Sequence, residues 1–194
     1  MGLSIMIIGL VLFLGGHAFV PVRKARAALI GRIGEGPYKG LLALVSLVGL
    51  ALVVYGFAAY RAGGLIPIWQ PPSWTRHLTD LLVWPAAILV TAAYIRGAIY
   101  RKLKHPMLAG VKLWAAAHLL ANGDLGGIIL FGSILAWAVY DRITLKQRSD
   151  PGAPPIPAGG ATNDVIAVVV GTVAYLLLGF YFHPYVIGLT VFGS

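Results

Sequence analysis

The stretch LLALVSLVGLALVVYGFAAY, residues 41–60, decides the fold of this chain. It holds no charged side chain, and a helix of about 20 apolar residues crosses the ~30 Å hydrocarbon core of a bilayer. Residues 3–22 and 81–100 have the same length and apolar character, and residues 165–192 form a longer apolar stretch that a tilted helix accommodates. Each stretch predicts a transmembrane helix.

Two shorter apolar stretches, residues 107–121 and 125–140, lie between these long ones. The sequence Asn-Gly-Asp at 122–124 separates them and offers a helix stop at Gly123 and an N-cap at Asp124. This pattern predicts a tight helical hairpin. The sequence therefore predicts an all-α, polytopic integral membrane protein with about six transmembrane helices in one bundle.

The composition agrees with a membrane protein. Hydrophobic residues make up 59% of the 194 residues and charged residues only 11%, whereas a soluble domain carries about 25% charged residues. The net charge of +9 does not indicate a nucleic-acid partner, because the basic residues lie between the apolar stretches. The absence of cysteine excludes disulfides, thiolate ligands and cysteine nucleophiles.

The distribution of basic residues predicts the orientation. Placing the N-terminus outside puts twelve of the fifteen Lys and Arg residues on the cytoplasmic side and two on the opposite side, with Lys112 inside a span. The protein is therefore predicted in the cytoplasmic (inner) membrane with both termini outside. The twelve are Arg23, Lys24, Arg26, Arg32, Lys39, Arg96, Arg101, Lys102, Lys104, Arg142, Lys146 and Arg148.

The chain is predicted as a single membrane domain, 1–194. Its one long linker is RSDPGAPPIPAGGATN, residues 148–163, whose proline and glycine content predicts a flexible loop. Asp164 follows the linker and is predicted to cap the last helix. All six acidic residues are predicted in loops or at helix ends, which argues against a carboxylate proton relay or di-metal site; they are Glu35, Asp80, Asp124, Asp141, Asp150 and Asp164.

Three histidines lie within predicted spans, where polar side chains are costly without a partner or a function. Two glycines precede His17 and three alanines precede His118, which leaves room beside each imidazole for a flat group such as haem. The alternative is that the small residues serve helix packing and each histidine bonds a neighbouring helix. His183 precedes Pro184, which predicts a helix kink that frees a carbonyl group.

Residues 104–142, KHPMLAGVKLWAAAHLLANGDLGGIILFGSILAWAVYDR, resemble the signature of the NnrU family of bacterial membrane proteins. Residues 15–34, GGHAFVPVRKARAALIGRIG, are similar to the same family. The resemblance covers most of the chain and implies a link to denitrification and nitric oxide metabolism.

The same stretch is similar to the haem b-containing zeta-carotene isomerase of plants and cyanobacteria. The resemblance implies a haem b with axial ligands His17 and His118, and a small gas or a lipid-soluble polyene as its partner besides the lipid bilayer. It also implies an alternative function, the cis-trans isomerisation of a carotenoid-like polyene. The isomerase carries a cysteine where this chain has Ala115, so its proposed exchange of ligands has no counterpart here.

A weaker resemblance links residues 104–110, KHPMLAG, to membrane methyltransferases that use S-adenosylmethionine. Those enzymes have an aromatic residue in place of Leu108 and paired glutamates downstream, whereas residues 140–148 here are YDRITLKQR. Methyl transfer is therefore the least favoured function.

The two axial ligands of one haem must lie at the same depth. His17 is roughly 8 Å from the cytoplasmic end of its span and His118 roughly 17 Å, at 1.5 Å per residue. The depths agree if the first helix continues past Pro21. His183 satisfies the depth condition without that extension and is the rival partner of His118. Asn122, Lys112 and the loop arginines are candidate partners of the haem propionates.

Overall fold

The structure, a computed structural model, describes residues 1–147 and 159–192. In this part of the chain it is helical, and its only β-type pairing is an isolated bridge between Pro67 and Asp124. The described α-helices are α1 (Gly2–Phe19), α2 (Arg23–Ile33), α3 (Glu35–Ala62), α4 (Trp74–Ala92), α5 (Ala98–Leu103), α6 (Pro106–Ala121), α7 (Leu125–Lys146) and α8 (Ala161–Leu177), and a π-helical segment (Leu178–Ile187) continues α8.

Four of the described helices are long and apolar enough to cross a membrane. They are α1, α3, α7 and the continuous helix Ala161–Ile187. The shorter α6 is also apolar. The all-α membrane class is thereby confirmed, and the count of six spans stays a prediction.

The predicted span at residues 81–100 has different boundaries in the structure. Helix α4 begins seven residues earlier, at Trp74, and ends at Ala92, and the short α5 follows after a turn. Thr75 and Thr79 are buried in the early part of α4, which a search for apolar residues alone does not identify as helix. The hydroxyl of Thr75 donates a hydrogen bond to the Pro72 carbonyl (2.6 Å), which holds the residues before α4 against its first turn.

The first helix does not continue past Pro21. Helix α1 ends at Phe19, and a turn that includes a hydrogen bond from the Val22 N–H to the Phe19 carbonyl (2.9 Å) separates it from α2. Proline has no N–H for the helical hydrogen bond, so a stop here is physically expected. The extension that would equalise the depths of His17 and His118 is therefore wrong.

The chain divides into two compact units. One comprises Met1–Trp69 with Asp124–Ser149, and the other comprises Gln70–Gly123 with Asp150–Ser194. The two short stretches of the predicted hairpin belong to different units, and each packs within its own: α7 on α1, and α6 on α4. The single membrane domain, 1–194, stays a prediction.

In the first unit, glycines bring α1 and α3 into close contact. A Cβ added at Gly9 would lie 2.6 Å from the Val53 nitrogen, and one added at Gly49 would lie 2.7 Å from the Phe13 nitrogen. Such spacing places backbone against backbone, which is how small residues hold membrane helices together in the absence of a hydrophobic driving force between them.

In the second unit, α4 packs against both α6 and α8. Gly110 of α6 lies against the Ala86 carbonyl of α4, and Gly171 of α8 lies against the backbone of Ile88, also on α4. Gly110 and Gly171 thus allow α6 and α8 to pack closely against α4, and these helices carry the polar residues described below.

One predicted cap is confirmed and one is wrong. The Asp124 carboxylate accepts a hydrogen bond from the Gly127 N–H (2.8 Å) and caps α7 as predicted. Asp164 lies inside the first turn of α8, and its carboxylate accepts from the N–H groups of Ala98 (2.8 Å) and Ile99 (3.0 Å). It therefore caps α5, because the unsatisfied N–H groups at the start of α5 face it.

The predicted flexible loop, residues 148–163, lies outside the described residues as far as position 158. The part that is described is hydrogen-bonded to the turn before α5. The Gly159 N–H and the Asn163 side-chain amide both donate to the Arg96 carbonyl (2.6 and 3.0 Å), and the Arg101 guanidinium donates to the Gly159 carbonyl (2.7 Å).

Candidate functional site

Helix α6 holds His118 in a fixed position relative to α4. The neighbouring Ala115 and Ala117 are completely buried, and the Thr79 hydroxyl of α4 donates a hydrogen bond to the Ala117 carbonyl (2.8 Å). This bond joins the two helices one residue before His118. The imidazole itself is half-buried beside the Trp114 ring, with 4.8 Å between ring centres.

The hydrogen bond of the His118 ring determines its tautomer. Its Nδ1 lies 2.8 Å from the Trp114 carbonyl oxygen. Because a carbonyl only accepts, Nδ1 carries the proton and Nε2 has the lone pair, which is the arrangement of a histidine that binds a metal. The side-chain amide of Asn122 donates to the His118 carbonyl (2.8 Å), so this propionate candidate caps the end of α6.

His183 lies in the π-helical segment. Its Nδ1 is 2.8 Å from the Leu178 carbonyl oxygen, five residues earlier, so its Nε2 carries the lone pair of the ring. Pro184 supplies no N–H to this wider helix, and the His183 ring donates to the backbone of the preceding turn. At the predicted kink the structure has a ten-residue π-helical segment, which ends at the left-handed Gly188.

The structure brings His118 and His183 together. Their ring centres are 6.4 Å apart and their planes differ by 23°. Asp80 of α4 interacts electrostatically with His77 and His183, and Tyr175 of α8 interacts with Asp80. The second unit therefore brings the two imidazoles of His118 and His183 together, with further polar groups on α4 and α8.

His17 lies in the first unit, near the end of α1. Its Nδ1 is 2.7 Å from the Phe13 carbonyl oxygen, so it has the same tautomer as the other two histidines. Its ring centre is 5.5 Å from that of Trp137 on α7, edge to face. The Trp137 indole N–H is buried and has no hydrogen-bond partner within residues 1–147 and 159–192, which is a costly state for a buried donor.

The described residues contain no group of three or more His, Cys, Asp or Glu side chains placed to hold a metal ion. A metal bound by protein ligands alone needs about four such donors. Haem brings four nitrogens of its own and needs only one or two imidazoles.

A comparison with protein families agrees with the sequence motifs. The family model of the NnrU protein matches residues 5–191. The chain belongs to the NnrU family. The matched residues of this NnrU protein include His17, His118 and His183. A search of curated proteins found no match, and neither did a search of solved structures.

Two polar residues of this NnrU protein were not identified from its sequence as site residues. Asp80 was predicted at a helix end, but it lies in the second turn of α4 because that helix begins at Trp74. Trp137 has no distinguishing neighbours in the sequence, and only the packing of α7 on α1 places it beside His17. The sequence does carry a signal for Asp80, because this carboxylate directly precedes the apolar stretch that begins at Leu81.

Proposed function

We propose that this NnrU family member is an integral membrane protein that binds haem b, with His118 as one axial ligand. The observation that carries the proposal is the 6.4 Å separation of the His118 and His183 ring centres. Two imidazole nitrogens that bind one metal from opposite sides, each at about 2 Å, place the ring centres roughly 6 Å apart. The ring separation therefore agrees with two imidazoles that would hold one iron.

Two histidines compete for the second axial position. The family resemblance assigns it to His17, and the measured separation favours His183, which belongs to the same compact unit as His118. All three rings donate their Nδ1 proton to a backbone carbonyl, so each presents an unprotonated Nε2. The tautomers therefore suit either pair, and the separation makes His183 the better supported partner.

Bound haem would supply a redox-active iron that takes a small gas when one axial ligand leaves. Both rings are held by equivalent hydrogen bonds to a backbone carbonyl, but His118 lies in the regular helix α6 and His183 in a π-helical segment, a geometry frequent at functional sites. We therefore propose that His183 would be the ligand that yields to a gas. The family resemblance would then give the protein a role in nitric oxide metabolism, and isomerisation of a polyene is less favoured because Ala115 is buried where the isomerase has cysteine.

The proposal places the protein in the cytoplasmic membrane with six spans and both termini outside. The four long helices supply four spans, and α4 and α6 would supply the other two. With 19 and 16 residues, α4 and α6 are roughly 28 and 24 Å long at 1.5 Å per residue. Both lengths are slightly below the ~30 Å of hydrocarbon, which a local thinning of the bilayer accommodates.

The test is an absorption spectrum of the purified protein and of three single variants. We expect six-coordinate low-spin bands in the wild type, no retained haem in His118→Ala, and a five-coordinate spectrum in His183→Ala that free imidazole restores. His77→Ala is the matched control, since His77 is exposed at the start of α4. If His183→Ala keeps the low-spin bands and His17→Ala loses them, the pair is His17 with His118; a wild type without haem refutes the function.

A further inference from the structure

An apolar cavity lies among helices α1, α2 and α3 of the first unit. Its volume is about 150 Å³. The residues that line the cavity include Gly16 and Phe19 of α1, Leu29 of α2, and Tyr38 and Leu42 of α3. The surrounding helix ends carry basic residues that predict the cytoplasmic side, so the cavity lies near that face of the membrane.

Tyr38 lines this cavity, and its buried hydroxyl has no hydrogen-bond partner among the described residues. The Arg26 Nε is likewise buried and without such a partner, and the guanidinium carbon of Arg26 is 5.7 Å from the centre of the Tyr38 ring. Burying a polar donor without a partner is unfavourable, and more so when the group is charged. An acceptor supplied by a ligand would remove this cost.

We propose that the cavity and these two donors form a binding site for one anionic phospholipid. The phosphate oxygens accept hydrogen bonds from the Arg26 guanidinium and the Tyr38 hydroxyl, and part of an acyl chain occupies the cavity. Arginine can only donate, which selects an acceptor-rich anion, and a guanidinium matches phosphate geometry well. The apolar lining selects a ligand that has a hydrocarbon chain beside the anion.

The charges near the site agree with an anionic ligand. Helix α2 carries four basic residues in eleven, and none of the eleven is buried as a whole residue, although the Arg26 Nε atom is. Glu35 is paired with Lys39 at 2.8 Å and also interacts electrostatically with Arg26, so the basic residues of α2 outnumber this acid. A basic segment at the membrane surface attracts anionic lipid headgroups, which concentrates the ligand near the cavity.

Native mass spectrometry of the detergent-purified protein tests the site with phosphatidylglycerol as the probe. We expect Arg26→Gln and Tyr38→Phe each to weaken binding about tenfold, which is the effect of losing one hydrogen bond to a charged group. Arg32→Gln is the matched control, because it removes the same charge from an exposed position of the same helix. We expect it to change binding by about threefold or less.

Further arms of the experiment separate the headgroup from the chain. Inorganic phosphate has no tail and should not compete, and phosphatidylcholine should bind about tenfold more weakly because its phosphate is neutralised. Leu29→Trp should fill the cavity and weaken phosphatidylglycerol binding with Arg26 and Tyr38 intact. Equal losses in Arg26→Gln and Arg32→Gln overturn the site in favour of surface attraction. Loss of haem in Arg26→Gln and Tyr38→Phe, with lipid binding unchanged, overturns it in favour of the haem propionates.

Discussion

Replacement of Gly9 by alanine tests the close packing of α1 on α3. The added Cβ would lie 2.6 Å from the Val53 nitrogen and 2.7 Å from the Gly49 oxygen, whereas ordinary contact begins at 3.4 Å. The helices must therefore separate by roughly 0.7 Å, and a gap of 0.5–1 Å forfeits a quarter to a half of the attraction between the facing atoms. We expect a loss of about 1–3 kcal/mol in the free energy of unfolding.

Gly15→Ala is the matched control for this variant. Gly15 is on the same helix, and a Cβ there would meet nothing within 4 Å. It should be neutral or stabilise by about 0.5–1 kcal/mol, because alanine favours helix over glycine. The assay is thermal unfolding of the purified protein in detergent, in which Gly9→Ala should melt about 2–12 °C lower, because 1 kcal/mol shifts the melting temperature of a chain of this size by about 2–4 °C. Equal melting temperatures for the two variants would refute the glycine-mediated contact.

Three further outcomes are expected. Reporter fusions near Lys39 and Lys102 should be cytoplasmic and a fusion near Trp69 external, because of the bias in basic residues; a cytoplasmic signal at Trp69 would contradict the orientation. Asp164→Ala should lower the free energy of unfolding by about 1 kcal/mol through loss of the cap on α5. Asp164→Asn should retain most of the stability that the cap contributes. Equal melting temperatures of the two variants would argue against the cap. S-adenosylmethionine should not raise the melting temperature, and a saturable increase would favour methyl transfer.

The sequence by itself determined which stretches form helices. An apolar stretch of about 20 residues without charge has one low-energy state in lipid, a helix with all its backbone hydrogen bonds internal. The helices α1, α3 and α7 therefore begin or end near the predicted positions, and the N-cap at Asp124 was predicted because the cap and the N–H it binds are three residues apart. Local interactions of this kind can be predicted without a partner helix.

Boundaries that depend on packing could not be predicted in this way. The polar start of α4 forms a helix because Thr75 and Thr79 are buried and hydrogen-bonded, and that burial requires neighbouring helices. Asp164 looked like a cap for the helix that contains it. Its actual partners, the N–H groups of Ala98 and Ile99, are more than 60 residues away in the chain.

The candidate site divides along the same line. The sequence singled out His17, His118 and His183 because each is a polar group within an apolar stretch, where lipid makes it costly. Only the tertiary structure decided that His118 and His183 face each other, since 65 residues separate them and the packing of α6 and α8 on α4 brings them together. The unpartnered donors at Arg26 and Tyr38 were likewise invisible in the sequence, because a missing hydrogen bond is a property of the surroundings and not of the residue.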